Sequence, residues 1–457
     1  MIQYSRVLLA GLFSAVVSTE LVAVEVDAAS SVSVVPADHV GESLVTYLRS
    51  FISDLQQSGD QAAVQSLAKQ VVDASRNHPE YDAAQAKMDF SQEAENEAFA
   101  AYFPKIYGNS SSGYNREDGV AKNETKLGVG LNQLLYDFGA TASRVDAAKS
   151  DAEVSSAELK AKGNELIYRG VKAWHELFRT QRMVELHRLN VESRREIVDF
   201  VAQRAALGGS SQSDVLRARA RWADAEAGVA KAESQVERAK ASWIEIISTE
   251  APIDVEINRF VGIDHSRYVD LSQVAHRYAT VERAYAKHQV ASDRASAAAA
   301  DKFPRLELDL SVSKLMDDPD DLPQDRSAQI QVRYDFYTGG AKKARASQAR
   351  AQAAQAASDA ETELRQAEKL LRQALADVEA GGRTVTARRE AASIAAASMK
   401  AVREQFAYRR GTLLDLLRVQ EDLFFAGRNL IDAMADSALA HYRFLYLASD
   451  LESYLEQ

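Results

Sequence analysis

Between residues 305 and 313 the chain alternates strictly: Leu306, Leu308, Leu310 and Val312 are apolar, and Glu307, Asp309, Ser311 and Ser313 are polar. A period of two puts all the apolar groups on one face of a strand. A partner follows, with Ile330, Val332, Tyr334 and Phe336 set against Gln329, Gln331, Arg333 and Asp335. The loop between them, Met316 to Ser327, is acidic and holds Pro319 and Pro323. A weaker pair precedes these by about 200 residues. There Leu127, Val129 and Leu131 alternate, but the strand from Lys105 to Tyr114 is crowded with Ser, Gly and Asn.

After each pair the period changes. Thr141 to about Leu207, and Ala341 to about Tyr408, contain no proline, and each run would reach roughly 100 Å as a continuous helix. Ile167, Val171, Trp174 and Phe178 keep helical spacing in the first, and Leu364, Ala367, Leu371, Ala374 and Val378 in the second. Gly381-Gly382 argues for a break in the second run. The returning helix carries Leu416, Val419, Leu423, Ala426, Leu430 and Ala433 at alternating steps of three and four, a coiled-coil seam. The two tips read Leu207-Gly208-Gly209-Ser210-Ser211 and Tyr408-Arg409-Arg410-Gly411-Thr412.

The chain also repeats itself. Phe103-Pro104-Lys105-Ile106 recurs as Phe303-Pro304-Arg305-Leu306, and Leu135-Tyr136-Asp137-Phe138-Gly139 corresponds to Phe336-Tyr337-Thr338-Gly339-Gly340. Each half therefore reads helix, strand pair, helix, turn, helix. The expected fold class is mainly α with a small β part: long antiparallel coiled-coil helices forming an α-barrel, plus four strands per chain, with an internal duplication. Expected boundaries are a signal peptide at 1–28, an unassigned extension at 29–62, a first repeat at 63–250, a linker at 251–274 and a second repeat at 275–457.

Four strands cannot close a barrel, and an unpaired backbone row in lipid costs several kcal/mol per group. About eight strands is the smallest useful closure, and three copies would supply roughly twelve. Phe103, Tyr136, Phe138, Phe303, Phe336 and Tyr337 all fall at the end where chain enters and leaves the strand pairs, the place of an aromatic girdle at a bilayer surface. Glu307, Asp309, Gln329, Gln331 and Arg333 would then line the barrel lumen while their alternate neighbours face lipid.

Composition narrows the classes. With 7 prolines, 21 glycines and 8% aromatics in 457 residues, close-packed alanine-rich helices fit better than one large globular core. A net charge of -11 supplies no basic patch of the kind nucleic acid requires. Arg6 before the apolar run Val7 to Val17 reads as a secretory signal, with cleavage after Ala28 and alternative ends at Ser18 and Ala23. The absence of cysteine removes a disulfide framework and an acyl-lipid anchor. No later segment holds the roughly 20 apolar residues of a transmembrane helix, so a membrane would be crossed by strands. No HExxH and no phosphate-binding glycine loop is present; His175-Glu176 is read as a solvated face, with no metal or cofactor expected.

The residues resemble the TolC-like outer-membrane efflux proteins, and within them the outer-membrane components of type I secretion systems. The matching pieces are HPEYDAAQAKMDFSQEAENEAFAAYFPKIY from His78, the glycine motifs at Gly139 and Gly340, SDVLRARARWADAEAGVAKAE from Ser213, and RRGTLLDLLRVQEDLFFAGRNLIDA from Arg409. Together they span about residue 63 to the end of the chain. TLLDLL after a basic tip looks like the variant found in exporters of large surface adhesins. The resemblance implies a homotrimer in the outer membrane of a Gram-negative cell. Its helical tunnel narrows in the periplasm and opens when a membrane-fusion adaptor and an inner-membrane transporter, an ABC transporter or a proton-driven pump, dock on the tips.

It also implies an aperture lined by aspartates after the tip turns, which Asp214 and Asp415 match. The family's second acidic ring falls on Arg418, and the glycine that opens the second tip is replaced by Arg409, with Gly411 two residues on. Adaptor docking would use Leu207, Gly208, Gly209, Arg409, Arg410, Gly411 and Thr412. From residue types alone, Asp415 is better read as a helix cap; for Arg409 and Arg410 the alternative to docking or intersubunit pairing is a solvated tip. The functions left open are passive export of a large protein, small-molecule or metal efflux through the same kind of channel, and a periplasmic coiled-coil adaptor.

Overall fold

The structure, a computed structural model, describes residues 42–54, 61–117, 120–257, 268, 270–315, 324–408 and 410–456. The expected signal peptide, most of the 29–62 extension, part of the 251–274 linker, most of the acidic loop and Arg409 lie outside the described residues.

In chain order the elements are α1 (Glu42–Asp54), α2 (Gln61–Arg76), α3 (Pro79–Phe99), β1 (Lys105–Glu117), β2 (Val120–Tyr136), α4 (Ala140–Ala206) and α5 (Gln212–Ile247). Then come α6 (Leu271–His276), α7 (Ala279–Ala300), β3 (Arg305–Leu315), β4 (Gln324–Arg333), α8 (Ala341–Ala407), α9 (Leu413–Leu447) and α10 (Leu451–Leu455). The order helix, strand, strand, long helix, returning helix thus occurs twice, from α3 to α5 and from α7 to α9.

The strands form one antiparallel sheet in the order β1-β2-β3-β4, so β1 and β4 are its two outer strands. Its register stacks apolar side chains on one face. Ile106 pairs with Leu131, Leu131 with Leu310, Val129 with Val312, and Leu308 with Ile330. No described residue of the same chain covers this face: Ile106, Val129, Ile330 and Val332 are all more than half exposed. The serine-rich first strand, doubtful from its sequence, is a full strand because every residue from Lys105 to Glu117 finds a partner on β2.

β4 stops at Arg333, before Tyr334 and Phe336, although the alternation in the sequence runs on. Arg333 faces Arg305, the first residue of β3, and the residue before it, Pro304, has no N–H to extend the ladder. β4 also begins at Gln324, inside the stretch expected to be loop.

Each passage from strand to long helix turns on a glycine. Gly139 (φ 88) and Gly340 (φ 84) cap α4 and α8 in the left-handed region that other residues avoid. The Asp137 carboxylate accepts from the Thr141 backbone N–H at 2.7 Å and hydroxyl at 2.6 Å, satisfying an early amide of α4.

Gly381-Gly382 does not break α8, contrary to expectation; the helix is continuous from Ala341 to Ala407. Gly381 is there for space. A β-carbon on it would lie 2.9 Å from the Ser437 hydroxyl of α9. Gly170 does the same for α2, whose Val71 would meet an added β-carbon at 2.6 Å.

Near the sheet, α4 packs on α3 and α7, and α7 on α8. In the half away from it the helices lie side by side in the order α5, α4, α9, α8. Trp174, Trp243 and Tyr442 anchor the middle of this array, together with α2 and the segment carrying Val255 and Ile257.

The extension left unassigned from sequence includes α1, which packs against α4, α8 and α9. Leu44 and Leu48 are fully buried there, and Gly427 leaves the room that Leu48 fills. A helix of 13 residues is marginal alone. Two buried leucines supply about 1.5–3 kcal/mol each toward docking it.

Candidate functional site

Three regions carry the features on which a conduit would depend: the two faces of the sheet, the tips, and the contact between the hairpins just above the tips.

On the sheet, Glu307 pairs with Gln331, Asp309 with Gln329 and Arg305 with Arg333, so these side chains share the face opposite the leucines and valines. Asn132 Nδ2 donates to Asp309 Oδ1 at 3.0 Å, carrying the polar face across from β3 to β2. At the helix-proximal end the rings gather: Tyr136 to Phe138 at 4.8 Å, Phe138 to Phe303 at 5.2 Å and Phe99 to Phe103 at 5.7 Å between centroids. Phe336 and Tyr337, which follow β4, stand 91% and 88% exposed. Phe138 sits at φ 56, and Phe99 extends the cluster without having been singled out from sequence.

The tips are built alike. Ser211 opens α5 and Thr412 opens α9, and each forms a reciprocal capping box with the aspartate three residues on. Thr412 donates its N–H (3.2 Å) and hydroxyl (2.6 Å) to Asp415 Oδ2, while its oxygen accepts from the Asp415 amide at 3.2 Å. Asp214 repeats this with Ser211. Both aperture candidates are therefore helix-capping groups as well. The hydrogen bonds from Ser211 and Thr412 hold the two carboxyls below the usual carboxylate range, with Arg217 and Arg418 adding to the effect. Arg418, which departs from the acidic pattern, has a counterpart in Arg217 beside Asp214, which the sequence reading passed over.

Of the docking candidates, Leu207 is 85% exposed and Gly208 turns at φ 73. Gly209 lies under Arg204, and Gly411 over the backbone of Phe406. The Arg410 amide closes the end of α8 by donating to the Gln405 carbonyl at 2.8 Å. Arg204 ties the tips together: its Nε donates to the Gly209 carbonyl at 3.0 Å, its Nη1 to the Phe406 carbonyl at 3.3 Å, and its guanidinium lies 4.9 Å from the Phe406 ring centroid.

Farther up, a buried polar group joins the hairpins. Gln420 of α9, fully buried, donates to Asn190 Oδ1 at 3.0 Å and Ser193 Oγ at 3.1 Å on α4. Arg194 of α4, 6% exposed, donates to the Arg221 carbonyl of α5 at 3.3 Å. Burial pulls its pKa down from the ordinary arginine value. The coiled-coil spacing of α9 concealed this cluster, because Gln420 lies beside the apolar seam rather than in it.

His175 is not solvated, which corrects the sequence reading. It is 2% exposed, its ring shares a hydrogen bond with the Val171 carbonyl through Nδ1 at 2.8 Å, and burial pushes its pKa down to about 4. The helical period puts it next to Trp174 on the inward side of α4, where α9 covers it through Tyr442. Its neighbour Glu176 pairs with Arg179.

An exposed apolar sheet face, an opposite polar face and long antiparallel helices running from one end of the sheet define the class: a membrane channel whose wall is β and whose stem is helical. No helix among the described residues is long and apolar enough to cross a membrane. Comparisons with known proteins point to the same class. Residues 70–247 match the family model described as outer membrane efflux protein. The chain is 23% identical to the outer membrane efflux protein BepC of Brucella suis over 85% of this chain and 86% of that one. It is 24% identical to the outer membrane protein TolC of Vibrio cholerae, over 82% and 89%. The crystal structure of the outer membrane protein VceC from Vibrio cholerae superposes with a TM-score of 0.77 at 15% identity, over 84% and 96%.

Over residues 70–247 the chain matches the outer membrane efflux protein family, and it has the TolC-like fold. BepC, TolC and VceC are each described as an outer membrane protein. The periplasmic-adaptor reading is thereby set aside.

Proposed function

We propose that three copies of this chain form one trans-periplasmic duct for type I secretion of a large adhesin or repeat-rich protein. The observation that carries the trimer is the four-stranded sheet, with an uncovered apolar face and two outer strands. In lipid those strands' unpaired N–H and C=O groups require partners, which further copies supply on closing a barrel. Glu307, Asp309, Gln329, Gln331 and Arg333 then face water in the lumen, and the aromatic residues from Phe103 to Tyr337 form the girdle on the periplasmic side.

Transport through such a duct is passive. An inner-membrane ABC transporter supplies the energy, and a membrane-fusion adaptor seats on the tips at Leu207, Gly208, Gly209, Arg409, Arg410, Gly411 and Thr412. Asp214 and Asp415 line the narrowest point, with Arg217 and Arg418 beside them, so the constriction is close to charge-neutral. Opening is an untwisting of the helix pairs that separates the tips. The protein cargo is supported by the TLLDLL stretch after a basic tip.

A small-molecule efflux reading is favoured by one finding, the description of the Brucella relative as an efflux protein. One deletion strain separates the two. Loss of a high-mass protein from the medium supports secretion, while unchanged export with raised accumulation of dyes or metal ions supports efflux. Deleting Arg409 to Thr412 is expected to abolish export and leave assembly intact; normal export by that deletion overturns the docking role.

A further inference from the structure

The apolar face of the sheet is uneven. From the helix-proximal end outward, β3 sets Leu306, Leu308, Leu310 and Val312 on it, and β4 sets Val332, Ile330 and Ala328. On the same face β1 starts with Ile106 but continues with Gly108, Ser110 and Ser112. Branched side chains on β2 and β3 therefore stand beside a strand that has almost none. A hollow of about 540 Å³ results, lined on this face by Gly108, Ser110, Leu127, Val129, Val312 and Lys314. On the other face the space over Gly128 is already taken, since an added β-carbon would lie 2.5 Å from Asn109 Oδ1. Neighbouring strands stand about 4.8 Å apart, so a strand that closes a barrel beside β1 walls this notch without roofing it.

At the outer end of the hollow, charge begins. Ser110, Leu127 and Lys314 form one row across three strands, and Arg326 stands in the row below, opposite Val312. Leu306 and Lys314 are eight residues apart on β3. At about 3.4 Å per residue and a tilt of about 40°, Lys314 stands roughly 21 Å above Leu306, close to the far edge of an apolar band about 25 Å tall. In the duct proposed above the helices are periplasmic, so this edge meets the outer leaflet. Among the described residues, neither the Lys314 ammonium nor the Ser110 hydroxyl has a hydrogen-bond or ion-pair partner. A void beside leucine and valine forfeits dispersion contacts until something fills it, and the cation at its mouth sets the charge of what does.

We infer that this hollow seats a phosphorylated, acylated glycolipid of the outer leaflet. One acyl chain lies over Gly108 against Val129 and Val312, and a headgroup phosphate accepts from Lys314, with the Arg326 guanidinium in the adjoining row. The Ser110 hydroxyl, between the two, donates to the carbonyl that joins chain to sugar. A glycolipid is the occupant because the cations lie at the end of the sheet away from the helices, whereas the other leaflet is met by the aromatic rings. The inference rests on the membrane-wall reading proposed above and on neither the cargo nor the adaptor.

Native mass spectrometry of the purified channel in detergent, with diphosphoryl lipid A as the probe, is expected to show retained adducts. Their apparent affinity should fall roughly tenfold in Lys314→Ala, as expected for one lost charged hydrogen bond. Gly108→Leu is expected to weaken binding by filling the notch, and the sheet has room for it, since the nearest atom to an added β-carbon is the Gly128 carbonyl at 4.0 Å. Lys126→Ala, on the opposite face near the same height, is expected to change nothing. Equal retention of lipid A by wild type, Lys314→Ala and Gly108→Leu overturns the site. Tighter binding of phosphatidylglycerol than of lipid A overturns the glycolipid as its occupant. A wild-type chain that stays in solution without detergent overturns the membrane wall itself, and the site with it.

Discussion

Arg204 donates from Nη1 to the Phe406 carbonyl at 3.3 Å, tying the end of the first hairpin to the end of the second through a residue in neither turn. The same guanidinium holds the Gly209 carbonyl and lies over the Phe406 ring, so one side chain sets the spacing of the tips. Arg204→Ala is expected to loosen that spacing while leaving the sheet and stem alone. Purified channels should show raised conductance in planar bilayers, and conductance equal to wild type would rule out a clamp.

Gln420 tests the polar contact between the hairpins. Its amide satisfies Asn190 and Ser193 inside an otherwise apolar region. Gln420→Ala removes the donor to the buried Ser193 hydroxyl and leaves Asn190 Oδ1 only the longer contact from Arg194 Nε at 3.4 Å, which costs about 1–3 kcal/mol. The denaturation midpoint in detergent is expected to fall accordingly, and an unchanged midpoint would mean the cluster adds nothing.

The neighbouring glycines of α8 are expected to behave oppositely. Nothing lies within 4 Å of a β-carbon built on Gly382. Gly382→Ala therefore gains helix propensity of roughly 0.5–1 kcal/mol. Gly381→Ala drives the new methyl against Ser437, whose Cα would lie 3.3 Å away. Thermal melts should show Gly382→Ala above wild type and Gly381→Ala below it; equal shifts would contradict the close helix contact.

His175 sets an acid dependence. Its folded pKa, about 4, lies below the ordinary 6.5. The unfolded chain therefore takes up a proton first as pH falls, and the stability associated with neutral His175 is full above about 6.5 and is lost toward 4. A melting temperature that drops over this window in the wild type is expected to drop less in His175→Leu. Parallel profiles would show that other groups account for the loss.

Much of the candidate site was legible because its signals are local. The hinge glycines Gly139 and Gly340 stand out because a strand that turns into a helix at a left-handed residue admits little else. Capping at Asp415 was readable from a threonine three residues before it. Arg217 and Arg194 were not, because charged residues on a helix read as solvent-facing until the packing of neighbouring helices is known.

From the sequence alone came the strand alternation with its apolar face, the two long helical hairpins and the tips between them. These follow from periods of two and of three to four, which a chain carries in its own order. Only tertiary structure decided that α1 docks against Gly427, that His175 is buried, that Gly381 accommodates Ser437 rather than breaking a helix, and that β4 stops opposite Arg305. Each depends on what stands across from a residue, and burial and close approach belong to pairs of segments distant in the chain.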